Sequence, residues 1–130
     1  MSIDKDCCLM TDAAVTSSAG TTDWFAPGAG LYMRFGCTTT CDSSGDAAVV
    51  TFSIQADDAS SFSSPTTLAS VGTFAIGSAE LTAGGVVYVP FPYNGVPAEK
   101  YIRGYVTAGT ENLSAGKFTV DIVQNPPRNV

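Results

Sequence analysis

Side chains that could carry chemistry are few in this sequence, and histidine is absent from its 130 residues. The chain therefore lacks the usual general base of Ser-His-Asp and Cys-His catalytic systems and the commonest metal ligand. The three-residue gap between Cys37 and Cys41 is compatible with a zinc site, but the adjacent Cys7 and Cys8 would point apart in an extended chain. The even number of cysteines also permits disulfides. We expect free thiols, and a zinc site or disulfides are the alternatives that remain open.

The carboxylates form no convincing catalytic pair. Asp57 and Asp58 are adjacent, so within a strand they would lie on opposite faces and could share neither a proton nor a metal ion. We interpret them as turn residues. Glu80, Glu99 and Glu111 are isolated in predicted loops, whereas a glycosidase needs two acids facing each other. We predict a protein that is not an enzyme, with no catalytic residue, no cofactor and no bound metal; an acid-pair hydrolase is the least favoured alternative.

One stripe of side chains has the character of a binding surface. Tyr101, Arg103 and Tyr105 alternate with small and apolar residues along a predicted strand, so they share one face. Tyr and Arg are enriched at interface hot spots, and aromatic strips also stack on sugars. A purely structural role at the rim of a sandwich is the simpler alternative. The candidate interface residues are Tyr101, Arg103 and Tyr105, together with Ile3 and Leu9 near the N-terminus.

Alternating apolar and polar residues predict β-strands along most of the chain and no amphipathic helix. The clearest case is 47–70, where Val50, Phe52, Ile54 and Ala56 share the face of a strand that leads into a polar connection. We expect Phe62 to pin this connection to the sheet, Gly72 to mark a bulge or a bend, and Pro90 to mark an edge strand or the end of a strand. Seven or eight strands with turns between them predict an all-β antiparallel sandwich or barrel.

Charge and length limit the functions to consider. Twelve acidic and six scattered basic residues give a net charge of −6, so we expect no binding to nucleic acid. No apolar run approaches the roughly 18 residues of a membrane span, so we expect no membrane association. Acidic residues near the N-terminus argue against a secretory signal and favour folding in the cytoplasm. We divide the chain into an N-terminal arm (1–12), one domain (13–124) and a C-terminal tail (125–130).

Three blocks of sequence, in order along nearly the whole chain, resemble the jelly-roll capsid cement (decoration) proteins of short-tailed bacteriophages. The blocks are Ile3-Asp4-Lys5 with DAAVTSSAGTT from Asp12, QADDASSFSSPTTLAS at 55–70, and EKYIRGYVTAGTENLSAGKFTVDIV at 99–123. Segments 37–46 and 89–97 depart from the pattern of that family. The positions of Cys7 and Cys8 look like apolar positions in the family, which favours a packing role for both residues.

The resemblance implies an antiparallel jelly-roll β-sandwich, a homotrimer and binding to the major capsid protein on the outside of the shell. It carries over no catalytic residue. The predicted function is therefore that of a virion structural protein at the capsid surface, made in the host cytoplasm. A carbohydrate- or receptor-binding β-sandwich module is the alternative, because the same aromatic stripe would serve it.

Overall fold

The computed structural model describes residues 8–21, 31–59, 61–91 and 101–124, and these residues form eight β-strands. A short 3-10 helix, Ala79–Leu81, precedes the sixth strand. The alternation seen in the sequence is the reason for most of these strands, because it gives each one an apolar face and a polar face. The strands are β1 (Cys8–Ala14), β2 (Ser18–Gly20), β3 (Leu31–Asp42), β4 (Val49–Asp57), β5 (Thr66–Ala75), β6 (Val86–Pro90), β7 (Tyr101–Gly109) and β8 (Ala115–Gln124).

The strands form two four-stranded antiparallel sheets, with orders β1-β8-β3-β6 and β2-β7-β4-β5. The pairing is nested: β1 pairs with β8, β2 with β7, β3 with β6 and β4 with β5. This wrapping of eight strands into two sheets is the jelly roll, so the predicted fold class is confirmed. The expectation from Pro90 is also met, because β6 lies at the edge of its sheet.

The core lies between the two sheets and is centred on Phe52 of β4. The Phe52 ring centroid is 5.1 Å from that of Phe35, 5.4 Å from that of Phe118 and 5.8 Å from that of Phe74. Aromatic pairs at these separations add to the free energy gained from burying apolar surface. The predicted inner face of β4, which also includes Ile54, is completely buried. Phe52 thus ties strands of both sheets into one packed unit.

The connection between β4 and β5 has the form predicted for it. Phe62 is buried, with 7% of its surface exposed, and it holds the polar connection against the sheet. The Asp57 carboxylate accepts hydrogen bonds from the backbone amides of Asp58 (2.7 Å) and Ser64 (2.9 Å). Asp57 is the last residue of β4 rather than a residue of the turn, but its side chain closes this loop as a turn residue would.

The strand pairing is irregular at β1, where the structure differs from the prediction, and at β5, where it agrees with the prediction. Residues 8–12, placed in the N-terminal arm by the sequence, belong to β1, so the boundary expected at residue 12 falls inside a strand. Register shifts in the β1–β8 pairing interrupt the period of two, which hid this strand. The bulge expected at Gly72 is confirmed, because Val50 pairs with Phe74 whereas Phe52 pairs with Val71.

Leu81 is buried at the end of the 3-10 helix. Ile3, residues 92–97 and the tail at 125–130 lie outside the residues that the structure describes. No helix in the described ranges is long and apolar enough to cross a membrane.

Candidate interface site around Arg103

The stripe predicted from the sequence lies on the outer face of the β2-β7-β4-β5 sheet. β7 is an inner strand of this sheet, between β2 and β4. Its buried residues Ile102 and Val106 face the core, which places Tyr101, Arg103 and Tyr105 on the opposite face, each half-buried. The structure therefore brings these three candidates together on one surface. Leu9 does not join them, because it packs in the core with 5% of its surface exposed.

Arg103 is the centre of this surface, and its guanidinium is held by residues from three parts of the chain. Its Nε donates a hydrogen bond to Oε1 of Gln55, the residue directly opposite on β4, at 2.9 Å. Its Cζ lies 4.4 Å from the ring centroid of Phe62 and 4.8 Å from that of Tyr105. Both distances are within the range of a cation–π interaction. The Arg103 side chain thus links β7 to β4 and to the β4–β5 connection.

Gly20 of the short strand β2 makes room for the Arg103 guanidinium. A Cβ atom built at Gly20 would lie 2.7 Å from Nη1 of Arg103 and 3.0 Å from its Cζ. Any larger residue at this position would therefore push the guanidinium away from the sheet. Gly20 pairs with Tyr105 in the β2–β7 register. This register places the glycine beside the Arg103 guanidinium.

The surroundings of Arg103 are polar but largely shielded from solvent. On the outer face of β4, Ser53, Gln55 and Asp57 are all buried. The hydrogen bond from the Ser64 amide is the main cause that lowers the pKa of Asp57, and the Asp58 amide and the positive charge of Arg103 lower it further. The carboxylate therefore stays ionised at neutral pH beside Arg103. Within the described ranges, however, Arg103 has no carboxylate within ion-pair distance.

The sequence predicted the stripe but missed the residues that fix it. The sequence predicts Phe62 as a loop anchor, but it indicates no role for Gln55 or Gly20. Each acquires its role through the pairing of β7 with β4 and β2, which brings Gln55 to Arg103 across 48 positions of the sequence. Alternation within one strand shows which residues share its face, but it does not show their neighbours on the next strand.

A second pair of polar side chains lies on the outer face of the other sheet. Arg34 donates two hydrogen bonds to the Asp121 carboxylate, from Nε at 3.0 Å and from Nη2 at 2.7 Å. The side chains of Arg34 and Asp121 are 28% and 5% exposed. The hydrogen bond to Asp121 raises the pKa of Arg34. This bidentate pair ties the paired strands β3 and β8 together, and nothing in the sequence pattern indicates it.

Cys37 and Cys41 are free thiols buried in the core. The Cys37 Sγ donates a hydrogen bond to the Thr39 carbonyl at 3.1 Å. Burial raises the pKa of both thiols, and that of Cys41 reaches about 12. A thiol that stays protonated is a poor nucleophile and a poor metal ligand, so both residues act as small hydrophobic side chains. Cys7 and the Cys8 side chain lie outside the described part of the structure.

A small cavity and the acidic residues are further features of the described part of the chain. The cavity has a volume of about 280 Å³ and lies between the end of β1 and the start of β8. Its lining contains no carboxylate and no thiol; it is formed by Ala14, Val15, Thr16, Thr39, Leu113, Ser114, Ala115, Gly116 and Lys117. Among the described residues, no three cysteine, aspartate or glutamate side chains cluster in a way that could hold a metal ion.

The nested strand pairing defines the chain as a jelly-roll β-sandwich protein whose clustered aromatic and basic side chains lie on a sheet face. Residues 9–122 match the family model Bbp16. Because the match covers most of the sequence, the chain belongs to the Bbp16 family, a family of bacteriophage-associated proteins. No curated protein matches the chain. The bacteriophage association expected from the sequence blocks is therefore confirmed.

Proposed function

We propose that this protein is a non-enzymatic structural component of the virion that binds the outer capsid surface as a homotrimer and stabilises the shell. The observation that carries this proposal is the jelly-roll fold in a chain that belongs to a bacteriophage protein family. The sequence blocks that resemble capsid cement proteins support the finer assignment. The partners are two further copies of the chain and the major capsid protein, and no cofactor takes part.

The composition is consistent with a protein that uses much of its surface for contacts with other protein chains. Charged residues make up 14% of the chain, against roughly a quarter in typical soluble domains. Small and uncharged side chains lose little conformational entropy and little hydration when a partner covers them. A closed trimer gives each copy two different contact surfaces. The remaining surface is then available for the capsid.

Trimeric binding explains how modest contacts would stabilise a shell. A capsid presents the same site many times, so three linked copies engage neighbouring sites at a high effective concentration. A ligand that binds only the assembled state adds its binding free energy to the stability of that state. A rigid sandwich is suited to this role, because little order has to be gained on binding.

Co-sedimentation with empty capsids of the phage that encodes this protein tests the proposal. The free protein is expected to show three times the 13.4 kDa chain mass by light scattering at micromolar concentration. It is then expected to sediment with the capsids and to raise the temperature at which they disassemble. Capsids of an unrelated phage are the control. A strict monomer that stays in the supernatant would contradict the proposal.

The alternative, a carbohydrate- or receptor-binding module, needs a row of solvent-exposed aromatic rings. In this structure Phe62 is buried and the Tyr105 ring is engaged by Arg103. The geometry therefore favours the structural role. A glycan-array signal that is lost in Tyr101→Ala would reverse this preference.

A further inference from the structure

We propose that Arg103 is a carboxylate-binding site at the contact between two copies of this chain. The inference rests on the homotrimer proposed above and specifies the chemistry of its contact. It assigns to Arg103 the recognition of an acidic side chain from the neighbouring copy. Three features of the described residues lead to it.

The first feature is the free edge of the guanidinium. Nε donates to Gln55, but within the described ranges neither Nη1 nor Nη2 of Arg103 donates a hydrogen bond. A guanidinium edge with two N–H donors matches the two oxygen atoms of a carboxylate. Arg34 shows the satisfied form of the same group in this protein, since it donates two hydrogen bonds to Asp121. Arg103 has the donors without the carboxylate.

The second feature is the fixed position of the side chain. The guanidinium lies over the Phe62 and Tyr105 rings and fills the space above Gly20. Its hydrogen bond to Gln55 fixes its orientation. A long side chain usually loses rotamer freedom when a partner binds it. Here that freedom is already restricted before binding. The site is therefore preorganised for a partner group.

The third feature is the charge around the site. Among the described residues, Asp57 is an acid whose pKa is lowered by the charge of Arg103, and it reduces the electrostatic cost of placing Arg103 on a shielded face. Its two oxygen atoms, however, accept hydrogen bonds from the Asp58 and Ser64 amides. Asp57 thus contributes a field without serving as a bidentate partner. The site retains capacity for a second carboxylate.

The net charge favours a second copy as the partner. Each copy carries twelve acidic and six basic residues, so carboxylates are the commonest charged groups that a neighbouring copy presents. A closed trimer joins two different surfaces of the chain, which lets an acid from elsewhere on one copy meet Arg103 of the next. The exposed acids of the described residues include Asp12, Asp42, Asp46 and Asp58.

Sedimentation equilibrium of the full chain and its variants tests this site. We expect Arg103→Gln to raise the trimer dissociation constant at least tenfold, because both the positive charge and the planar guanidinium donors are lost. Arg103→Lys keeps the charge and the alkyl stem but not the planar guanidinium, so we expect at least a threefold rise in the dissociation constant. Lys117→Gln, an exposed base on β8 of the other sheet, is the matched control and should leave the constant unchanged. Added salt should weaken the wild-type trimer more than the Arg103→Gln trimer.

Circular dichroism and thermal melting show whether each variant is folded. If Arg103→Gln does not fold, Arg103→Lys decides: an unchanged dissociation constant overturns the site. If the folded Arg103→Gln variant has the same trimer dissociation constant as the wild type, the inference is overturned and the proposed function is left intact. A wild-type chain that is monomeric at micromolar concentration overturns the proposed trimer, and the inference with it.

Discussion

Gly104 determines how closely the two sheets approach each other. It lies on the inner face of β7, and a Cβ atom built there would be 2.5 Å from the Met33 Sδ and 3.1 Å from the Phe35 Cζ. Both neighbours belong to β3 of the opposite sheet and are buried. The missing side chain thus leaves the space into which Met33 and Phe35 pack. In the sequence Gly104 is merely a small residue on an apolar face, because nothing local indicates which strand lies opposite.

We expect Gly104→Ala to lower the free energy of unfolding by about 1–3 kcal/mol, the usual cost of overpacking a core. Gly109→Ala on the same strand is the matched control, because its Cβ would meet Val49 Cγ2 at an ordinary 3.5 Å. That variant should be unchanged or slightly more stable, since alanine restricts the unfolded chain. Urea denaturation measures both. Equal stabilities for the two variants would show that the sheets can move apart at Gly104.

The β4–β5 connection is an element held by side-chain chemistry at its two ends. Asp57 closes it through the amides of Asp58 and Ser64, and Phe62 anchors its middle beneath Arg103. Phe62 adopts a positive φ of 52°, which bulky residues rarely do. The burial of its ring and the contact with Arg103 offset this backbone cost. The loop is therefore part of the structure that fixes the Arg103 site.

This closure predicts a loss of stability in acid. The hydrogen bonds from the backbone lower the pKa of Asp57 in the folded protein, so the unfolded chain binds the proton more readily. The stabilisation is present above the unfolded pKa of about 4 and is lost as the pH falls through the lower folded value. We expect the stability difference between wild type and Asp57→Asn to be largest at neutral pH and to shrink in acid.

Denaturation curves between neutral pH and strong acid measure this difference. Asp58→Asn removes an exposed carboxylate from the same loop and is the matched control. The Glu111 carboxylate also has a lowered pKa, because Ser43 and the backbone amides of Gly45 and Ala47 donate to it. Some acid sensitivity should therefore remain in Asp57→Asn. A difference between wild type and Asp57→Asn that does not vary with pH would contradict the role given to Asp57.

The pairing of β3 with β8 gains a specific link from Arg34 and Asp121. Removing the carboxylate in Asp121→Ala leaves a partly buried guanidinium without its partner, so we expect a loss of about 3 kcal/mol. An apolar replacement of both residues, Arg34→Met with Asp121→Leu, should recover much of that loss. A double-mutant cycle of Arg34→Met, Asp121→Leu and the double variant, followed by urea denaturation, measures the coupling energy. Strictly additive effects of the two single changes would show that the pair contributes no specific stabilisation.

For the whole molecule, the sequence predicted those features that depend on a single strand. Alternation in β4, β7 and β8 was sufficient for the all-β fold class and for the face that carries Tyr101, Arg103 and Tyr105. β1 escaped prediction because its bulges interrupt the period of two. Contacts between strands also escaped it. The Arg34–Asp121 pair joins residues 87 positions apart, and only the register of the folded sheet brings such residues together.

The same distinction holds for the candidate site. The sequence predicted an aromatic and basic stripe, and the structure adds the Gln55, Phe62 and Gly20 contacts that fix Arg103. It also assigns Leu9 to the core. Membership of a bacteriophage-associated protein family is confirmed over residues 9–122, and the capsid cement role stays a prediction. The trimer and the capsid contact are the proposals that build on that family and this fold.

Electron cryo-microscopy of capsids incubated with the purified protein tests the central claim most directly. The proposed function predicts added density on the outer surface of the shell, with local threefold symmetry and room for three eight-stranded jelly rolls. Untreated capsids of the same preparation provide the reference map. Maps with and without the protein that are identical at the outer surface would contradict the claim that this protein is a capsid cement protein.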